Sequence, residues 1–157
     1  MCAFTGRKRN VWGAGYTELF FLDEVTALAA GHRPCFECRR ADAKAFAMLF
    51  PFLPGEARKA DEMDRCLHSE RLNGKIKRTY QCEPDTLPEG AVFARDGYAY
   101  AVRSQHHLRW SHEGYQPAAP ISGVVDVLTP PAMIEVLRRG YRPRWHDSAL
   151  AITPQLR

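Results

Sequence analysis

Cys35 and Cys38 are the residues whose type and spacing most directly suggest chemistry. A Cys-x-x-Cys turn lets two thiolates reach one tetrahedral ion, each sulfur about 2.3 Å from it. Pro34 sets the entry to that turn, and Arg33, Arg39 and Arg40 surround it. Their positive charge lowers thiol pKa and favours the thiolate that binds metal. A closed structural zinc site takes four ligands, and the chain has no second Cys-x-x-Cys. Two rivals stand beside metal binding. One is redox chemistry, although a thioredoxin-like pair follows a buried strand, whereas here a helical stretch and a Gly-His-Arg-Pro turn come first. The other is a pair of cysteines spaced by chance.

The elements that must hold this turn are short. Thr17–Leu22, TELFFL, is aromatic and predicts a strand. A helix over Glu24–Ala30 follows, with acids in its first turn where the macrodipole favours them. Gly31 stops it as a C′ residue, and Pro34 prevents its continuation. A second helix is expected over Ala41–Phe50. A third runs over about Glu56–Leu72, and its sparse apolar positions, Met63, Cys66, Leu67 and Leu72, predict a surface location. From Lys75 the pattern changes to alternating and β-branched runs: IKRTYQC, GAVFAR, YAYAVR, HLRWS and GVVDVL. Asp96-Gly97 between two of them is a hairpin signal. A last helix over Pro131–Arg139 carries Pro in its first turn and ends at Gly140, and the tail from Tyr141 reads as irregular. The expected fold class is therefore α+β: a helical zinc-knuckle region over 1–74, then a small antiparallel β-sheet region with a short helix over 75–157.

The 157 residues suffice to bury a core without disulfides. No stretch approaches the roughly 20 apolar residues that span a bilayer. The start has a basic run but no signal-type apolar segment. The expected address is the cytoplasm, where cysteines 2, 35, 38, 66 and 82 read as metal ligands or reduced thiols. The net charge of +4 permits an anionic partner without demanding one. Its distribution says more: Arg7, Lys8 and Arg9 form one cluster, Arg33, Arg39 and Arg40 another, and Lys75, Lys77 and Arg78 a third.

Residues 20–40, FFLDEVTALAAGHRPCFECRR, resemble the second half of the zinc-binding module of the Ada family of DNA alkylation-response proteins. That module has aromatic residues, a short Ala-rich helix, then Ala-Gly-aromatic-Arg-Pro-Cys-x-x-Cys and a basic residue. Here His32 stands at the aromatic position. The wider chain is also similar to bacterial proteins of the HRPC-x-EC-RR type, which adds no activity. The resemblance implies Zn2+ held by Cys35 and Cys38 as third and fourth ligands. Cys2 falls near the second position, and the cysteine that should precede it is missing. His32, Cys66, His68 and Cys82 are the candidates to complete the set. In the family the methyl-accepting cysteine belongs to the upstream pair, so the resemblance assigns that role to no residue here. The Pro-Cys-His-Arg motif of the family's base-repair transferase and a helix-turn-helix are absent from the sequence. What carries over is metal binding and DNA contact through backbone phosphates, by Arg33, Arg39, Arg40, Arg7, Lys8 and Arg9.

Other residues receive weaker readings. His68 and Glu70 read as an exposed polar helix face, and His106, His107 and His112 as a hairpin edge more than a second metal site. Tyr98, Tyr100, Trp110 and Tyr115 with Arg103 and Arg109 have the composition of a base-stacking sheet, although strand aromatics more often pair with each other. Two further functions stay open: a metal- or thiol-dependent enzyme acting on alkylated DNA, and a zinc-stabilised protein-interaction module.

Overall fold

Asp23 starts the first helix by closing a capping box. Its Oδ1 accepts the Thr26 N–H at 2.9 Å, and Thr26 Oγ1 accepts the Asp23 N–H at 3.2 Å, satisfying donors that a helix start leaves orphaned. In the computed structural model, which describes residues 19–51 and 59–152, this helix, α1, spans Glu24–Ala29. Gly31 ends it with φ +79, as expected. Lys77 caps it from outside, its Nζ donating to the Ala29 carbonyl at 2.8 Å, a favourable charge at a helix C-terminus.

The strand expected over Thr17–Leu22 does not form over its described part, Leu19–Leu22. Leu19 and Phe20 are exposed, and among the described residues no strand pairs with their backbone. Aromatic composition favours a strand only where a neighbour completes the ladder. Thr17 lies outside the described residues.

Helix α2 is Arg40–Leu49, and α3 is Ala60–Arg71. The expectation that α3 lies on the surface is half right. Half of its residues are exposed, but Met63 and Leu67, one turn apart, are fully buried. They join Leu28, Phe46, Phe50, Met133, Val136, Leu137 and Tyr141 in one cluster. A two-residue stripe is too sparse to stand out as an amphipathic period, yet it suffices where four helices converge. The core thus joins α1–α3 to α4, Pro131–Arg138.

After the ribbon β1–β2, Leu72–Asn73 with Ile76–Lys77, the chain builds a six-stranded sheet. Its members are β3 Tyr80–Cys82, β4 Val92–Arg95, β5 Tyr98–Arg103, β6 His106–Ser111, β7 Gly114–Pro117 and β8 Val125–Val127. The order is β3-β8-β4-β5-β6-β7, every pair antiparallel. The architecture is α+β, α1–α3 preceding the sheet and α4 following it. Asp96-Gly97 makes the expected hairpin with φ 50 and 80, the positive pair of a type I′ turn. Ser104-Gln105 makes another with φ 47 and 63, which no glycine announces.

The tail is not irregular throughout. Asp147–Leu150 forms a short helix, α5, and Ser148 Oγ accepts the Tyr115 N–H at 2.9 Å. That contact covers the edge strand β7, whose free donors would otherwise remain open. Among the described residues no helix is long and apolar enough to cross a membrane.

Candidate metal centre

The Cys-x-x-Cys turn sits between α1 and α2, closed by the Arg39 N–H donating to the Cys35 carbonyl at 3.0 Å. Pro34 is buried at its entry, Cys35 is exposed and Cys38 half-buried. The Glu37 N–H donates to Cys35 Sγ at 3.4 Å, and both the backbone and the side chain of Cys38 also hydrogen-bond this sulfur. Burial pushes the Cys35 thiol up, but these hydrogen bonds outweigh it and bring the pKa below the ordinary value. Donors aimed at a sulfur favour its charged form. The turn therefore brings two sulfurs together and favours the charged form of one, the form in which a cysteine binds metal.

The surrounding arginines have internal partners. Arg33 makes a two-pronged pair with Asp64 of α3, Nε to Oδ1 and Nη2 to Oδ2, both 2.8 Å, and its guanidinium lies 5.1 Å from the Phe36 ring centre. Arg39 pairs with Glu24 of α1, Nη1 to Oε1 at 2.8 Å and Nη2 to Oε2 at 2.9 Å, and with Asp42 at 2.8 Å. The Glu24 side chain is only 4% exposed and also accepts from the Tyr141 hydroxyl at 2.7 Å and the Arg144 N–H at 2.9 Å. Burial opposes the charge on Arg39, but Glu24 and Asp42 more than restore it and raise its pKa. Arg39 directly follows Cys38, so this buried network fixes the exit of the turn to both flanking helices. Arg40, in contrast, is exposed. Arg7, Lys8 and Arg9 lie outside the described residues.

His32 faces Arg71, whose Nη1 is 2.9 Å from its Nε2. A guanidinium has no lone pair to offer, so Nε2 is the acceptor and the ring is neutral. Burial, then the charge of Arg71, hold the His32 pKa below its usual value. A metal at Nε2 would have to displace Arg71. Cys2 lies outside the described residues. Cys66 Sγ donates to Glu70 Oε1 at 3.6 Å; burial and that carboxylate push its thiol up to about 11. His68 is exposed on α3, and Cys82 lies on the edge strand β3. Among the described residues no group of three or more His, Cys, Asp or Glu side chains could hold a metal ion. Cys35 and Cys38 are brought together as a pair.

Beside Cys35 opens a cavity of about 420 Å³, lined by His32, Arg33, Phe36, Asp64 and Arg71 among others. Glu24, Asp64 and Arg71, which shape the turn and this cavity, escape a reading by motif. The one signal in the sequence is Glu24 itself, an acid beside Val25 and Leu28 on a short apolar helix.

The three sheet histidines disperse. His106 is exposed, His107 is buried edge-on to Phe93 at 5.2 Å between ring centres, and His112 packs on Trp110 at 4.8 Å. The aromatic-basic set divides between two sheet faces. Arg109 stacks on Tyr98 at 3.7 Å on one. Arg103 and Tyr115 pack against Trp145 on the other, in the cluster that also takes Trp110. Period-two alternation separates residues that composition groups together.

With this geometry established, comparison with known proteins adds no relative: no protein-family model, no curated protein and no solved structure matches the chain.

Proposed function

We propose that the chain is a zinc-binding protein in which Cys35 and Cys38 are two thiolate ligands of one structural Zn2+ ion, in the manner of the Ada-type module that residues 20–40 resemble. The observation that carries this reading is the set of hydrogen bonds on Cys35 Sγ from Glu37 and Cys38. They lower the cost of the charged sulfur and keep the second sulfur beside it, as a shared metal ion would need. The donors present fit half of a four-ligand site, with Cys2 as a further ligand. His32 is a ligand only if Arg71 gives up its hydrogen bond. Bound zinc would cross-link the turn and contribute folding energy on the order of 10 kcal/mol, as in small zinc domains.

DNA contact belongs to the same reading, through Arg40 and the cluster Arg7, Lys8 and Arg9. Arg33 and Arg39, already paired to carboxylates, serve the turn. Contact of this kind is tolerant of sequence and weakens steeply with salt.

The test is metal content. Protein purified under reducing conditions with ample zinc is expected to hold one equivalent, and Cys35→Ser and Cys38→Ser each to lose it. Wild-type protein with no zinc, or Cys35→Ser with a full equivalent, refutes the reading. DNA binding is tested separately with Arg40→Glu at low salt; no binding by the wild type removes that part alone.

A further inference from the structure

The two sulfurs of the turn are placed unequally. Cys35 is exposed, and Cys38 sits half-buried behind it, its side chain within hydrogen-bonding reach of Cys35 Sγ. The Glu37 N–H points at the same sulfur from 3.4 Å. Beside Cys35 lies the 420 Å³ cavity, walled by the Phe36 ring, the Arg33–Asp64 pair and Arg71. That volume falls in the range of small-molecule sites. Thiol–disulfide exchange needs three things: a reachable thiol, a second thiol next to it, and room for the group that the first sulfur attacks. This turn has all three. Cys66 instead hydrogen-bonds the Glu70 carboxylate, a like charge against its own thiolate.

The geometry points to a thiol–disulfide exchange site in which Cys35 is the attacking thiol, Cys38 the resolving thiol, and a low-mass disulfide such as oxidised glutathione the co-reactant. Cys35, as thiolate, attacks one sulfur of the disulfide. The S–S bond breaks, and one low-mass thiolate leaves and takes a proton from solvent. Cys38, as thiolate, then attacks Cys35 Sγ. The mixed disulfide breaks and the second low-mass thiol leaves. The protein gives up two electrons and two protons and gains the Cys35–Cys38 bond, while the co-reactant is reduced to two thiols. The activity goes beyond zinc binding and uses the metal-free pair. Where zinc is bound, the same oxidation removes both ligands and releases it.

Full-length reduced protein, stripped of metal and checked by circular dichroism, is mixed with oxidised glutathione, quenched in acid and mapped by mass spectrometry. Wild type is expected to show the Cys35–Cys38 bond with no lasting adduct. Cys38→Ser is expected to accumulate glutathione on Cys35; Cys38→Ala replaces it if the serine variant fails to fold. Cys35→Ser is expected to react at least about tenfold more slowly than wild type. Adducts forming first on Cys66 or Cys82, a lasting Cys35 adduct in wild type, or Cys35→Ser at the wild-type rate each overturn the inference. The preference for Cys35 is also expected to vanish in concentrated urea, and its survival there overturns the structural basis. If stripping unfolds the chain, zinc-loaded protein is used instead, and zinc release is expected to keep pace with modification of Cys35; release without it overturns the inference. Zinc content of the starting protein separates the two proposals: exchange without bound zinc defeats only the zinc reading, and bound zinc without exchange after stripping defeats only this one.

Discussion

Replacing Glu24 with Gln removes one buried negative charge and leaves the side-chain shape nearly unchanged. The carboxylate accepts Arg39 on both oxygens, Tyr141 on Oε1 and the Arg144 N–H on Oε2. A carboxamide keeps one acceptor oxygen, so a donor of Arg39 must face an NH2 group whichever way it is turned. A hydrogen bond to a charged group contributes about 1.5–3 kcal/mol, and breaking a buried pair outright costs about 3–5 kcal/mol. Arg39 is 25% exposed and keeps Asp42, so the full penalty is not reached. A loss of about 3 kcal/mol is expected. With a urea slope of about 1.5 kcal/mol/M, the midpoint should fall by about 2 M at unchanged slope. Tm should fall by about 6–12 °C. Because Arg39 adjoins Cys38, amide exchange over residues 35–39 should accelerate more than in the sheet. Adding Arg39→Met to Glu24→Gln should recover part of the loss by removing the unpaired cation. A midpoint shift below about 0.3 M, or two losses that simply add, would refute the view that this pair anchors the turn.

Gly31→Ala should cost about 1–2 kcal/mol in urea melts, because φ +79 is disfavoured for an L side chain. The new Cβ would also lie 2.7 Å from Arg71 Cδ, so the His32–Arg71 contact should loosen. His107 is held below its usual pKa of 6.5, chiefly by burial and then by His106 against the opposing pull of Asp85, and its Nδ1 accepts the Ile121 N–H at 3.0 Å. The unfolded chain therefore takes up this proton first. The stability contribution is present above pH 6.5 and is lost as pH falls through the folded pKa. His107→Gln should flatten the stability–pH slope below 6.5, and an unchanged slope counts against the assignment. Phe46→Ala, at a fully buried site where α2 meets Phe50 and Tyr141, should cost about 3–5 kcal/mol, read from the same melts.

Local chemistry was legible wherever a residue acts through its own backbone or its near neighbours. Gly31 ending α1, Asp96-Gly97 turning a hairpin and Cys-x-x-Cys bringing two sulfurs together all follow from short-range geometry, and the alternating runs after Lys75 announced an antiparallel sheet. Partnership across the chain was not legible. Arg39 looked like a free cation beside a cysteine, and only the fold brings Glu24 from 15 positions before it to pair with it, and Tyr141 from far beyond to bind the same carboxylate. Met63 and Leu67 looked too sparse for a core until α4 met them, Leu19–Leu22 had strand composition but no strand among the described residues to pair with, and the tail gained a helix because β7 left an edge to cover. Torsional preference and hydrogen bonds a few residues apart are encoded locally. The sign and burial of a contact between distant residues depend on which surfaces meet, and that is decided when the whole chain packs.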